Sequence, residues 1–295
     1  MTSQRPGLRE ARSLRPEACL TGPSNTDPDR PYTRPVRVTT WNINGFRAAA
    51  RKGLLAQVER LKPDVLLLQE VRALPDQLDP LHAAPPGWHV HWHPATRPGY
   101  SGVAIWSRHP MKIEWVGLDN DGSDHEGRLV VARVGPVRVG SVYLPSGSSG
   151  EHRQAEKDRW LEKFLPWCSQ FTRSRVPTIL GGDFNIAHTE RDIFHWKSNQ
   201  KTSGFLPHER AWMTSFLQQG WHDFVRERFG AVDGPYSWWS QRGQARALDR
   251  GWRIDYVVGN RAAGKIVRQA WIDRDAGIAV SDHAPVSVEL DVLAV

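Results

Sequence analysis

At 295 residues the chain can form one large β-rich domain with a sizeable core, and its 39 Lys and Arg against 32 Asp and Glu leave a charge of +7 that suits a polyanionic partner without requiring one. Its two cysteines, Cys19 and Cys168, exclude a disulfide framework and a cysteine-rich zinc site and agree with a reducing cytoplasm. No apolar run approaches membrane-spanning length, so the expectation is a soluble, unexported protein with no membrane partner.

Residues 1–35 hold six Pro and six Arg with few apolar side chains, and are expected to form a disordered leader to a folded domain at 36–295. From Val36 the pattern changes. Val36, Val38 and Thr40 alternate with Arg37, Thr39 and Trp41, which predicts a strand running into Asn42-Ile43-Asn44-Gly45. Leu54, Leu55, Val58 and Leu61 recur at helical spacing, Lys62-Pro63-Asp64 closes that helix, and Val65–Leu68 begins a buried strand ending in Gln69-Glu70. Short strands follow at Trp88–His93, Gly102–Ser107, Arg128–Val134 and Val137–Tyr143, the cadence of a sandwich. His89, His91 and His93 share one face of the first of these. Same-face neighbours on a strand lie about 7 Å apart, too far to share one zinc without bending, so a polar outer face is the expectation.

Residues 151–171 predict a charged helix with Leu161, Phe164, Leu165 and Cys168 inward and a kink at Pro166. Thr178, Ile179 and Leu180 then form a strand, stopped by Gly181-Gly182. Asp183 and Asn185 follow two residues apart, which in an extended chain puts both on one side. A carboxylate can hold a cation or accept a proton and an amide can donate to an anionic oxygen, which are two requirements of phosphoryl transfer. Taken alone, Gly, Asp and Asn are also ordinary turn residues. A helix with Trp212, Met213, Phe216 and Leu217 inward ends at Gly220, and the loop Tyr236–Ser240 precedes Arg242, Arg246 and Arg250. A last pair of strands, Ile254–Val258 and Val286–Leu290, flanks Ser281-Asp282-His283-Ala284-Pro285.

Asn42, Glu70, Tyr143, Asp183, Asn185, Asp255, Asp282 and His283 all lie within or at the edge of apolar strands. Carboxylates are costly there unless a cation or hydrogen bonds compensate. Each has an ordinary reading singly: a surface acid, a sandwich filler, an ion-paired strand residue, a solvated turn. Together, the blocks Trp41–Arg47, Leu68-Gln69-Glu70, Gly99–Val103, Gly181–Asn185, Gly251–Tyr256 and Ser281–Pro285 resemble exonuclease III, the bacterial apurinic/apyrimidinic endonuclease family, over residues 36–293.

That resemblance implies an α/β fold, a four-layer sandwich of two packed, mainly antiparallel sheets flanked by helices. It implies Mg²⁺ as cofactor, with Mn²⁺ a substitute, held chiefly by Glu70 with Asn42 and, through water, Asp282; some schemes put a second ion near Asp183, Asn185 and His283. By the same resemblance Asp255 fixes the tautomer of His283, Asp183 or His283 serves as the base, and Asn185 and Tyr143 stabilise charge on phosphoryl oxygens. Trp238, Trp252 and Ile254 resemble the wall of a pocket for a baseless sugar, and Arg97 and Tyr100, with the arginines at 242, 246 and 250, are candidates for the phosphate backbone. The implied activity is cleavage 5′ to abasic sites, with 3′→5′ exonuclease and 3′-end cleaning, on duplex DNA bearing abasic or 3′-blocked sites. A cytoplasmic, nucleoid-associated monomer is expected. The rivals are a phosphatase or lipid phosphodiesterase of the same superfamily and a catalytically dead DNA-binding protein. Two positions depart from some relatives: Ser146 stands where they carry Asn, and Asn44 where they carry an acid.

Overall fold

Continuous apolar runs become strands buried on both faces, and apolar residues at helical spacing become the inner faces of covering helices. In the computed structural model, which describes residues 34–292, the chain runs through β1 (Val36–Asn42), α1 (Phe46–Arg51), α2 (Leu54–Leu61), β2 (Val65–Gln69), α3 (Pro80–Ala83), β3 (His89–His93) and β4 (Val103–Ser107). It continues through β5 (Met111–Val116), β6 (Leu129–Val134), β7 (Val137–Tyr143), α4 (Glu151–Thr172), β8 (Thr178–Asp183), α5 (Pro207–Gln218), β9 (His222–Asp223) and α6 (Phe224–Phe229). Last come β10 (Asp255–Gly259), α7 (Arg261–Gly264), β11 (Val267–Ile272) and β12 (Val286–Leu290). The leader expected over residues 1–35 lies outside the described residues except for Arg34 and Pro35. Among the described residues no helix is long and apolar enough to cross a membrane.

The strands form two six-stranded sheets, ordered β11-β12-β1-β2-β4-β3 and β5-β6-β7-β8-β10-β9. Each has one parallel pair, β1 with β2 and β7 with β8, among antiparallel neighbours. A parallel pair needs a crossover, supplied by α1 and α2 in one case and α4 in the other, and this puts helices on the two outer faces. Between the sheets lie Val38, Leu67, Ile105, Val130, Val139, Ile179, Val257 and Val288. Trp41, Phe46, Val58, Leu66 and Trp106 pack under α1 and α2, and Phe164, Cys168, Leu180, Phe216 and Tyr256 under α4 and α5. The four-layer expectation holds. Gly182 has a packing reason, because a Cβ there would stand 1.8 Å from the Val142 carbonyl oxygen.

One local expectation needs correction. The histidine face of β3 points inward: His91 sits opposite Ile105 and His93 opposite Val103, and His93 Nε2 meets Asp124 Oδ2 at 2.9 Å. Trp88, Val90 and Trp92 take the helix-facing side, where the two Trp rings pack on Trp106. The strands expected at 254–258 and 286–290 both form, as β10 in one sheet and β12 in the other. The helix expected over 151–171 forms as α4, which runs through Pro166 to Thr172. Finally, β5 and β11 were not anticipated, and each carries an irregular register, between Ile113 and Trp115 and between Val267 and Gln269, that disrupts plain alternation.

Candidate active site

The parallel pairs bring strand ends together. Asn42 closes β1, Glu70 follows β2, Tyr143 closes β7, Asp183 closes β8, and Asp255 opens β10 directly opposite Asp183. Asp282 and His283 come from the loop before β12, where an isolated bridge pairs His283 with Trp238. Asn44, Glu70 and Asn185 hold left-handed backbone at φ 48, 52 and 51, each at a cost of about 1 kcal/mol or more. Local bonds compensate: Asn44 N–H donates to Asn42 Oδ1 (3.0 Å), Asn185 N–H to Asp183 Oδ1 (2.8 Å), and Gly45 N–H to the Glu70 carbonyl (2.8 Å).

The buried Asn42 amide donates to Glu70 Oε1 and to Asp183 Oδ2, each at 2.9 Å. Tyr143 OH donates to the same Glu70 oxygen at 2.9 Å, and Arg72 pairs with the other. Glu70, Asp183 and His283 each offer a ligand atom within 4.8 Å of the others, a group able to hold a metal ion. Its two carboxylates suit a hard divalent cation. Asp282 borders this group and accepts from Asn44 Nδ2 (2.8 Å) and Trp238 Nε1 (3.1 Å). An acid at position 44 would repel Asp282, whereas the amide donates to it.

His283 Nδ1 lies 3.1 and 2.9 Å from the two Asp255 oxygens, and Ser237 Oγ–H donates to Asp255 Oδ2 at 2.7 Å. The tautomer is thereby set, and Nε2 is left 4.0 Å from Asp183 Oδ2. Burial alone would lower the His283 pKa, but Asp255, helped by Asp183 and Asp282, pushes it up to about 10. Burial, with Asp255 and Glu70 close by, raises Asp183 to about 7 against the pull of His283. Burial would also raise Asp282, yet His283 and the bonds from Asn44 and Trp238 hold it below the usual range. Burial beside Glu70 and Asp183 keeps Tyr143 protonated.

Trp238 and Trp252 meet edge to face, with centroids 6.0 Å apart, in one apolar cluster with Ile193, Trp196, Phe205 and Ile254. Ile254, 7 % exposed, backs this wall from beneath. Arg97 is exposed over the Tyr100 ring, and Tyr100 OH accepts from Arg128 (2.9 Å) and from Arg153. Arg128 also donates to the Tyr143 carbonyl (3.1 Å), so Tyr100 and Tyr143 share one brace. The chain before β4 runs alongside Glu70, with Arg72 N–H donating to the Ser101 carbonyl. Of the three downstream arginines, Arg242 and Arg250 are exposed, but Arg246 turns inward. It bonds the carbonyls of Ser281 (2.8 Å) and Arg274 (2.6 Å) and stacks on Trp239, bracing the loop that carries Asp282 instead of facing a ligand. Sequence reasoning missed Arg72, Arg128, Trp196 and Ser237. Only Arg72, two residues past Glu70, carried a local signal.

Carboxylates, amides and one imidazole gathered at the strand ends of such a sandwich define a phosphoesterase-type hydrolase. Residues 39–283 match the model of the Endonuclease/Exonuclease/phosphatase family. The chain is 34% identical over 259 residues to an exodeoxyribonuclease of Bacillus subtilis (strain 168), covering 87% of this chain and 100% of that one. It is 32% identical to DNA repair nuclease APEX1 of Danio rerio, over 87% of this chain and 83% of that one. The solved structure of a 3′-5′ exonuclease (NExo) from Neisseria meningitidis superposes with a TM-score of 0.79 at 28% identity, covering 87% of this chain and 100% of that one. The chain belongs to the endonuclease/exonuclease/phosphatase family, on its exonuclease III and AP endonuclease branch, and is a nuclease.

Proposed function

We propose that the protein is a Mg²⁺-dependent DNA repair hydrolase that cuts the phosphodiester 5′ to abasic sites, with 3′→5′ exonuclease and 3′-end-cleaning activity on duplex DNA. The observation that carries this reading is the Asp255–His283 pair facing Asp183 next to the Trp238–Trp252 wall. With His283 raised to about 10, the imidazolium persists at neutral pH and serves as a positive contact for a phosphoryl oxygen, which leaves Asp183 as the base. The Asp183 carboxylate, whose proton affinity is raised by burial and by Asp255 and Glu70, faces His283 and is placed to take the proton of the attacking water. Glu70 and Asp183, with Asn42 beside them, would hold the ion, which when bound supplies Lewis-acid stabilisation of the phosphate. Tyr143 OH, kept protonated and donating to Glu70, and the Asn185 side-chain amide, which donates to the Leu144 carbonyl at 2.9 Å, are the neutral donors assigned to the phosphoryl oxygens.

The apolar wall favours a flipped-out sugar that lacks its base over an intact nucleotide. The names of the relatives, an exodeoxyribonuclease and a DNA repair nuclease, support a DNA substrate. The test is to offer the protein, in Mg²⁺, a duplex with one abasic analogue, the intact duplex, an inositol phosphate and sphingomyelin side by side. Nicking of the abasic duplex well above the other three is expected. Preferential release of phosphate or phosphocholine would overturn the reading in favour of a phosphatase or lipid phosphodiesterase.

A further inference from the structure

Two charges inside the fold have no part in the site described above. Lys157 of α4 and Glu209 in the first turn of α5 are both fully buried and form an ion pair. Lys157 Nζ also donates to the Asn185 carbonyl at 2.9 Å. The second Glu209 oxygen accepts from the N–H groups of Gly204 (2.7 Å) and Leu206 (2.9 Å). Gly204 in turn accepts from Ala187 N–H at 2.8 Å, and a Cβ on it would stand 2.9 Å from the Asn185 oxygen and 3.3 Å from the Trp252 ring. One pair thus bonds the turn after Asp183 and the end of the 187–206 segment, where Gly204 packs too closely behind Trp252 to admit a side chain.

Stability does not account for such a pair, because desolvating two charges is expensive and neutral side chains of similar shape are often equally stable. What the pair supplies is a fixed donor. Asn185 sits at φ 51, backbone that a non-glycine residue keeps only when its surroundings hold it, and its carbonyl is held by Lys157. We propose that Lys157 and Glu209 are positioning residues, a buried clamp that sets the Asp183–Asn185 turn for cleavage and keeps it in register with Trp252. This rests on the reading of the site as one that cleaves abasic DNA.

Lys157→Met/Glu209→Gln removes both charges without stranding either, so it is the variant suited to the test. Melting, equilibrium binding of an abasic-analogue duplex, steady-state cleavage and single-turnover cleavage are measured beside the parent protein. The double variant is expected to melt cooperatively and bind normally, but to cleave about tenfold to a hundredfold more slowly, with kcat lowered and KM unchanged, the scale of an ångström-sized misplacement. Parental cleavage rates in the folded double variant would overturn the clamp, as would equal losses in binding and rate. If the double variant does not fold, Lys157→Arg decides: it keeps the ion pair but replaces the single donor with a planar fork, and an unchanged single-turnover rate would overturn the proposal. Failure of the parent protein to cut the abasic duplex would instead contradict the functional reading.

Discussion

Asp183→Asn separates chemistry from architecture. The carboxylate accepts from Asn185 N–H at 2.8 Å and Asn42 Nδ2 at 2.9 Å, and its replacement can satisfy one of these donors but not both. One lost bond costs about 1 kcal/mol. Against this, burial and the charges of Asp255 and Glu70 raise Asp183 from 3.8 to about 7, and at roughly 1.4 kcal/mol per unit the ionised form costs on the order of 4 kcal/mol. The native chain therefore holds this proton longer than the unfolded chain does. Stability lost to ionisation accrues as pH rises from about 4 and is complete above about 7. In EDTA, Asp183→Asn should melt no higher than the parent near pH 4.5 and several degrees higher at pH 8. Single-turnover cleavage should nevertheless fall by roughly a hundredfold or more, the scale of a missing base, while affinity for abasic duplex holds or rises. Near-normal cleavage in a folded variant would move the base to His283. A melting difference that does not vary with pH would refute the burial argument.

Glu70→Ala should raise the Mg²⁺ concentration required for single-turnover cleavage, and an unchanged Mg²⁺ titration would remove Glu70 from the metal site. Asp192, wholly buried between Arg253 and Arg226, should be intolerant of change: Asp192→Asn leaves Arg253 underpaired and should cost about 3 kcal/mol or more, read by chemical denaturation. Burial would raise the Asp192 pKa, but the two arginines hold it well below the usual range, so its contribution is complete above about pH 4 and is lost as pH falls below that, which acid melts of parent and variant would reveal by converging. Given a charge of +7, affinity for abasic duplex should drop on the order of a hundredfold between about 50 and 200 mM salt if roughly four phosphates are neutralised, and a flat response would mean that the basic surface does not touch DNA.

The strand-end placement of the candidate residues was legible, Asn42 after Val38–Trp41, Glu70 after Val65–Leu68 and Asp183 after the strand at Thr178, while their grouping into one site came from the family resemblance of the blocks around them. A strand end is a local property, and so is a carboxylate's discomfort there. The partners of those residues were not legible. Ser237 reaches Asp255 across 18 positions and Lys157 reaches Glu209 across 52, contacts that only the packed sandwich creates. The same holds for strand pairing. Asp255–Gly259 and Val286–Leu290 are both five-residue strands with two Val, yet one joins β8 and the other β1, each beside a different parallel pair. Arg246 shows the converse, a charge that composition assigns to the surface and that packing on Trp239 turns into a brace.

The central claim, hydrolysis at abasic sites by the Glu70, Asp183 and His283 group, is tested most directly by mapping product ends. A duplex labelled on both sides of a single abasic analogue is incubated with the protein in Mg²⁺ or EDTA, and the fragments are sized and treated with phosphatase and polymerase. A cut confined to the 5′ side of the lesion, leaving an extendable 3′-hydroxyl and a 5′-deoxyribose phosphate only when Mg²⁺ is present, is the predicted result. A cut on the 3′ side, a 3′ end that cannot be extended, or the same products in EDTA would contradict it.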